Sequence, residues 1–441
     1  MTEAVTQQIN WLRQVAPYID AHRNHTLVLV MAGEVLGGAQ CKRLIQDLAL
    51  LHGLGMRVVL VHGARPQVEA RVAQAGSQSR YVQGLRITDE AALQALKAAV
   101  GQARLDIEAL LTAGLADTPG LGDGIRVASG NYVIAKPVGV RNGIDYRFTG
   151  EVRRVDTSAI QGLLDRGYLC LLPPLGFSRT GEVFNLNAAA LGQAVASALH
   201  ADKLIYLETV DFTGQAQAPG ELNRRELGPA KARALAQDEA RTPVMAERLR
   251  QAAAACLDGV PRVHLIDARH DGGLLLEIYT RDGVGMLVTN QRYEDIRPAA
   301  IADVNGILAL IEPLEQEGIL VRRSREQLEL EIDRFIVQER DGMVIACGAL
   351  YTYGDGRIAE LACLAVNPDY RNQGRGDRLL QQIQALALRN GVQTLFVLTT
   401  RTAHWFRERG FRPASLDSLP IARQQLYNYQ RNSLVFVKPL R

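Results

Sequence analysis

LAVNPDYRNQGRGDRLL, Leu364–Leu380, joins the end of a strand to the start of a helix through a glycine-containing turn. Upstream, Ala362 to Val366 (ACLAV) is a short apolar run that Asn367-Pro368 ends. Downstream, Leu379, Leu380, Ile383, Leu386 and Ala387 recur at helical spacing until Asn390-Gly391, and Thr394 to Thr400 reads as the next strand. A strand, a glycine turn and a helix N-terminus together form an anion pocket, because free backbone N–H groups and the positive end of the helix dipole face the incoming charge. Gly374 and Gly376 let the backbone approach a diphosphate without Cβ interference, and Arg371 and Arg375 are expected to add full positive charge beside it.

The chain around this motif has 441 residues, too long for one ordinary core, so two or three domains are expected. Hydrophobic residues make up 47%, and 50 Lys and Arg against 47 Asp and Glu leave a formal charge of +3. That balance supplies no broad field for nucleic acid or a membrane, so any anion site is local. Cys41, Cys170, Cys256, Cys347 and Cys363 are scattered with no CxxC pair, which excludes a disulfide framework and a zinc site as expectations. The start, MTEAVTQQINWLRQVAPYID, lacks the pattern of a signal peptide, and no apolar run reaches the roughly 20 residues that span a bilayer. A soluble, cytoplasmic protein is the expectation.

Towards the N-terminus the pattern alternates. Leu27 to Met31 (LVLVM) reads as a doubly covered strand, Leu44, Ile45, Leu48 and Leu51 as a helix, and Val58 to Val61 (VVLV) as the next strand. Tyr168 to Leu172, the Ala188 to Leu199 helix, Lys203 to Leu207, Val263 to Ile266 and Leu274 to Ile278 continue the rhythm. This predicts a doubly wound α/β sandwich with parallel strands. Asp211 to Arg241 reads as a surface hairpin plus a helix, and Arg281 to Arg292 ends the alternation. The expected domains are 1–290 and 291–441.

The pattern Arg/Gln-x-x-Gly-x-Gly/Ala, here Arg371 to Gly376, resembles the coenzyme A pyrophosphate loop of GNAT-type acetyltransferases. Glu360 opening ELACLAVNP and Trp405 to Phe411 (WFRERGF) fit the same resemblance. Over nearly the full length, HGARPQ (62–67), GLRITD (84–89), DYRFTGEV (145–152), NLNA (185–188), HLID (264–267) and YTRDG (279–283) resemble the bacterial N-acetylglutamate synthase family. The resemblance implies a three-layer αβα amino-acid-kinase-like domain followed by an α/β GNAT domain. It implies transfer of an acetyl group from acetyl-CoA to the α-amino group of L-glutamate at the first step of arginine biosynthesis, feedback by L-arginine, no metal, and a homo-oligomer, with a hexamer suggested. A bifunctional synthase and kinase is the rival. Against it, an apolar residue replaces the kinase lysine in Val30-Met31-Ala32-Gly33, Ala64-Arg65-Pro66 replaces a glycine triplet, and Asn185-Leu186-Asn187-Ala188-Ala189 lacks the kinase carboxylate. These departures predict a catalytically inactive kinase fold that binds arginine.

The resemblance assigns the arginine site to Tyr18, Lys203, Glu277 and Gly283, and the glutamate carboxylates to Arg323, Arg431 and Ser433. Arginine suits that role because its planar fork meets a carboxylate bidentately. The alternatives are solvated or locally paired charges for Lys203 and Glu277, and packing for Tyr18. Cys363, Leu364, Ala365, Val366, Arg371, Asn372, Gln373, Gly374, Arg375 and Gly376 are expected to hold the coenzyme. Glu360 is the expected general base, through a water, and backbone N–H groups near Leu364 are expected to polarise the thioester carbonyl. Thr399 is the expected donor to the departing sulfur, its alternative being a plain β-branched strand residue, and Cys363 reads as a small core residue rather than a nucleophile. A non-catalytic arginine sensor that only binds acetyl-CoA is the reading from another class.

Overall fold

The computed structural model describes residues 3–113, 125–213, 226–280, 283–290, 294–340, 343–371, 374–428 and 432–440. The chain divides into two compact units, Met1–Gln291 and Arg292–Arg441.

In the first unit an eight-stranded sheet runs in the order Glu226–Leu227, Met286–Thr289, Arg262–Asp267, Lys203–Glu208, Thr26–Met31, Arg57–His62, Leu169–Leu172, Val127–Ala128. Its central strands pair in parallel, as the helical crossovers between them require. Alternate side chains feed two cores. Val28, Val30, Val59, Val61, Leu204 and Tyr206 pack under the Ala188–Leu199 and Pro243–Leu257 helices. Leu27, Leu29, Val58, Leu60, Ile205 and Leu207 pack under Gly38–Gly53 and Gly273–Tyr279. Three layers result, as expected. Gly192 has no Cβ because its helix lies directly against Val30. Val30, which stands where the kinase pattern has lysine, therefore serves helix–strand packing.

Two features depart from the sequence reading. Met286–Thr289 lies inside the segment that was expected to end the alternation, and it pairs antiparallel to Arg262–Asp267. Its four residues are too few for periodicity to mark them. The hairpin expected in 211–241 lies largely outside the described residues. What is described there is the two-residue strand Glu226–Leu227 and the helix Pro229–Leu235.

Burial of histidines ties this unit's stability to pH. Desolvation, with Lys203 nearby, lowers His22 to about 4, and desolvation likewise lowers His62 to about 4. Between that value and the unfolded one near 6.5 the unfolded chain binds more protons. The stabilising contribution is thus complete above about pH 6.5 and is lost as pH falls towards 4. It amounts to on the order of 3 kcal/mol per histidine. Urea midpoints for residues 1–291 measured at pH 7.5 and pH 4.5 are expected to fall accordingly, and equal midpoints contradict the assignment.

The second unit is built on a seven-stranded sheet. In chain order its strands are β1 (Glu294–Pro298), β2 (Phe335–Arg340), β3 (Met343–Tyr353), β4 (Ile358–Val366), β5 (Thr394–Thr399), β6 (Arg412–Ala414) and β7 (Leu434–Pro439). Its helices are α1 (Val304–Gln316), α2 (Arg325–Leu330), α3 (Arg375–Arg389), α4 (Ala403–Glu408) and α5 (Ile421–Gln424). The sheet order is β1-β2-β3-β4-β5-β7-β6, antiparallel throughout except for the parallel pair β4–β5. The Leu379, Leu380, Ile383, Ala387 stripe of α3 packs with Leu361, Leu395 and Phe436 on one face. Val304, Ile307 and Ile311 of α1 pack with Phe335, Val337 and Cys363 on the other. No helix among the described residues is long and apolar enough to cross a membrane.

Candidate active site

The parallel pairing of β4 with β5 stops early. Ile358, Ala359 and Glu360 face Thr394, Leu395 and Phe396, and beyond them the two strands part. Leu361–Val366 therefore turns a backbone edge towards a cleft rather than towards a neighbouring strand. Such an edge offers N–H and C=O groups to an extended, amide-bearing ligand. On the other side of β4, Ala362 pairs with Ala349 but Ala365 pairs with Cys347, so Cys363 and Leu364 together oppose Gly348. Cys363 absorbs this bulge at φ +52°, a conformation rarely adopted by a residue with a Cβ. The bulge re-aims the strand backbone beside the cleft, which is where carbonyl polarisation was expected.

The cleft is a cavity of about 580 Å³, lined along one side by Leu361–Val366 and along the other by Val397, Leu398 and Thr399. Tyr370, Arg371, Gly374, Arg375 and Gly376 close one end. Gly374 takes φ +68° and starts α3 with no side-chain cap, so the first-turn N–H groups have no side-chain acceptor there. A Cβ on Gly376 would stand 3.2 Å from the Trp405 ring, and Arg409 stacks over that ring at 3.9 Å while bonding Asp377. This packing ties the Trp405–Phe411 segment to the start of α3.

The two motif arginines part company. Arg371 is exposed and donates through Nε to the Val366 carbonyl at 3.1 Å. Arg375 lines the same end of the cavity in a different way. It is buried at 2% exposure, lies 4.8 Å over the Tyr370 ring and donates to the Tyr370 carbonyl. At N1 of the helix it is held against Tyr370, which lines the cavity with it. Asn372 and Gln373 lie outside the described residues.

Thr399 is buried and lines the cavity, and its hydroxyl lies 2.8 Å from the Thr402 hydroxyl while accepting the Thr402 N–H at 3.0 Å. Accepting that N–H leaves its own proton to be donated. Cys363 borders the cavity and belongs to the α1-side core, with its thiol pushed up to about 11 by burial. Glu360 is buried beside the cavity rather than in its wall. Tyr353 donates to its Oε2 at 3.0 Å, and Arg423 donates from Nε to Oε2 at 2.7 Å and from Nη2 to Oε1 at 3.1 Å.

Arg323 lies within the electrostatic reach of Cys363, Tyr351 and Glu331. Burial works against its charge, but these neighbours raise it overall. Its Nε is buried without a hydrogen-bond partner, a donor aimed at nothing in the protein. Ser433 is buried, and its carbonyl accepts the Tyr427 hydroxyl at 2.7 Å. Arg431 lies outside the described residues. Sequence reasoning missed Tyr351, Tyr353 and Arg423. The tyrosines carried a signal: their spacing of two puts both on one face of β3, opposite Glu360 and Ile358. Arg423 carried none.

In the first unit, Val30, Ala64, Arg65 and Ala189, the positions that depart from the kinase pattern, line one cavity of about 180 Å³. It lies at the carboxyl ends of the strands, where such sheets bind ligands. A buried ion pair of Arg248 with Glu208 occupies its wall. Lys203, which opens its strand, His264 on the neighbouring strand and Glu277 on the Gly273–Tyr279 helix are all buried. Glu277 bonds the His264 ring at 2.6 Å and accepts the N–H groups of Val284 and Gly285. These donors outweigh the cost of burial and hold its carboxyl at about 2. Gly283, at φ +57°, has no room for a Cβ because Glu277 fills the space. Tyr18 packs half-buried against the core that includes Ile278 and Tyr279. The structure thus brings Gly283 against Glu277, and Lys203 acts electrostatically on His264, the ring that Glu277 bonds. No group of three or more His, Cys, Asp and Glu among the described residues is placed to hold a metal.

The fold and site define a class, an amino-acid-kinase fold joined to a GNAT-type acyltransferase, and known proteins agree. Residues 26–267 match the amino acid kinase family and residues 331–413 match the acetyltransferase (GNAT) domain. The amino-acid acetyltransferase of Pseudomonas fluorescens (strain Pf0-1) is 52% identical over 98% of this chain and 100% of that protein. The protein of the same name from Pseudomonas putida is 51% identical over 98% and 99%. The crystal structure of N-acetylglutamate synthase from Neisseria gonorrhoeae complexed with coenzyme A and L-arginine is similar with a TM-score of 0.89. It is 38% identical over 98% of this chain and 99% of that one. The same enzyme complexed with coenzyme A and N-acetyl-glutamate gives 0.62 at the same identity and coverage. The chain belongs to the amino-acid acetyltransferase family.

Proposed function

We propose that this enzyme transfers the acetyl group of acetyl-CoA to the α-amino group of L-glutamate, with L-arginine as a feedback effector bound to the first unit. The observation that carries the reading is the parting of β4 from β5, with a bulge at Cys363 and an uncapped helix start at Gly374 along one cleft. The cleft's open strand edge suits an amide-bearing arm, and its glycine end suits a diphosphate. The relatives named for amino-acid acetylation, and the solved relative holding coenzyme A with N-acetyl-glutamate, support the choice of acyl acceptor.

Glu360, through a water, takes the proton from the α-ammonium group. The freed nitrogen lone pair forms the C–N bond at the thioester carbon. Backbone N–H groups at the Cys363–Leu364 bulge bear the developing oxyanion, the C–S bond breaks, and the second proton of the attacking nitrogen passes to the departing thiolate, to which the Thr399 hydroxyl donates a hydrogen bond. Arg323, with its unpartnered buried Nε, and Arg431 with Ser433 hold the two substrate carboxylates. Tyr18, Lys203, Glu277 and Gly283 form the effector site. The three departures from the kinase pattern around one small cavity favour this single chemistry over a bifunctional kinase. The enzyme acts in the cytoplasm as a homo-oligomer in arginine biosynthesis.

A thiol-release assay with acetyl-CoA and a panel of amino acids, with and without arginine, tests the reading. Absence of coenzyme A release with glutamate refutes it, and turnover indifferent to arginine refutes the effector part alone. Arg323→Ala and Arg431→Ala are each expected to raise the glutamate KM by about 30-fold or more, the loss of a charge-assisted pair of roughly 2 kcal/mol. Acetyl-CoA affinity stays near wild type in both. An unchanged glutamate KM removes that arginine from the site.

A further inference from the structure

The two oxygens of Glu360 are held unequally. Oε2 accepts the Tyr353 hydroxyl at 3.0 Å and Arg423 Nε at 2.7 Å, which fills both of its lone-pair directions. Oε1 accepts a bond from Arg423 Nη2 at 3.1 Å and keeps a lone pair. Proton transfer to the carboxylate therefore falls to Oε1, and the groups that fix Oε2 set where Oε1 points.

The two donors to Oε2 stand on different footings. Arg423 belongs to the four-residue α5, which has no buried residue, and Ile421 beside it is 74% exposed. Tyr353 closes β3 and pairs with Ile358 of β4, two positions before Glu360 and on the same face. Such a diagonal neighbour lies within reach of a long side chain. The Tyr353 ring stands 5.8 Å from that of Phe396, the residue paired with Glu360 across β4 and β5. Phenylalanine would pack there equally well, so the hydroxyl is the part that addresses the carboxylate. Burial first, and then the Glu360 carboxylate, raise that hydroxyl, which keeps its proton and remains a donor. The other charges nearby act at longer range: Arg334 on Tyr353, Arg323 on Arg423, and Glu360 itself on the Cys363 thiol.

We infer that Tyr353 is a positioning residue for the general base, its hydroxyl pinning Oε2 of Glu360 so that Oε1 is the oxygen that takes the proton. The inference rests on the reading of Glu360 as the base in glutamate acetylation. A hydrogen bond to the charged form of a carboxylate favours that form. With the Tyr353 bond made, the base stays ionised to lower pH and presents one oxygen in one direction. The ammonium N–H bond then breaks, its proton passes through a water to Oε1, and the nitrogen lone pair goes to the thioester carbon. Without that bond the carboxylate holds a proton to higher pH, and Oε2 competes with Oε1 as acceptor from a direction that serves no substrate.

The test is the pH profile of kcat/KM for L-glutamate in the full-length wild type, Y353F and E360Q, over about pH 4.5 to 8 at a temperature where each is folded. E360Q is read first. A loss of about 100-fold or more keeps the base reading, whereas turnover near wild type overturns that reading and this inference with it. With the base established, Y353F is expected to move the acidic limb upward by about one pH unit and to lower kcat by about 10-fold. The KM for glutamate and the affinity for acetyl-CoA stay within about threefold of wild type. An unmoved limb overturns the inference even where kcat falls, because a merely structural loss lowers the profile without shifting it. Where Y353F does not fold, a ring-fluorinated tyrosine at position 353 keeps the shape and strengthens the donor. It is expected to move the limb downward, and a limb that stays in place again overturns the inference.

Discussion

Glu360→Gln lowers kcat with L-glutamate by about 10²–10⁴, the range for loss of a positioned general base, while acetyl-CoA affinity stays near wild type. The separation follows from position. Glu360 ends the pairing of β4 with β5 and lies outside the wall of the cavity, whereas the cavity-lining backbone begins at Leu361. Glutamine keeps one oxygen for Arg423 and Tyr353, so the local shape survives. It also turns an NH₂ towards a guanidinium and leaves a shielded arginine with no counter-charge. Breaking such a pair costs about 3–5 kcal/mol when fully buried, and less here because Arg423 is 16% exposed. A lower melting temperature is therefore expected alongside the kinetic loss. The kinetic signature is an equal fall in kcat and kcat/KM at a temperature where the variant is folded. A kcat within threefold of wild type would show that another group takes the proton.

Glu277→Ala raises the arginine concentration for half-inhibition by about 30-fold or more, while uninhibited turnover persists. Glu277 is a buried anion that bonds the His264 ring, the Val284 N–H and the Gly285 N–H at once. Alanine strands these donors and removes the carboxylate that a guanidinium would meet. Glu277→Gln is the informative companion. It keeps an oxygen for the two N–H groups, so the fold around Gly283 is retained while the charge is lost. Retained arginine inhibition in both variants removes Glu277 from the effector site. The pH dependence has a definite sign. The carboxyl is held at about 2 in the folded unit, below its unfolded value near 4.5. The stability it contributes is complete above about pH 4.5 and disappears as pH falls towards 2, a window below that of His22 and His62.

Much of the architecture was legible because it is written in local pattern. The helix Ala188–Leu199 came out with the boundaries read from its apolar spacing, and it is capped by Asn187, whose side chain accepts two first-turn N–H groups. The apolar runs at 27–31 and 58–61 became strands covered on both faces, as continuous Val/Leu stretches require. Met286–Thr289 escaped because a short strand amid glycines leaves no period to detect.

The sequence by itself determined the strand–turn–helix of Leu364–Leu380, the glycine placement that opens a helix start, and the loss of kinase charges at Val30 and Ala189. These depend on residue type and near-neighbour spacing, which a chain displays without folding. The tertiary structure decided the rest. It parted β4 from β5 after Glu360, set Arg375 over Tyr370, joined His264 to Glu277, and brought Arg423 to Glu360 across 63 residues. Each is a matter of which buried charge finds which partner. No local period encodes that choice, because a buried ion must be paired wherever along the chain the packing brings a partner within reach.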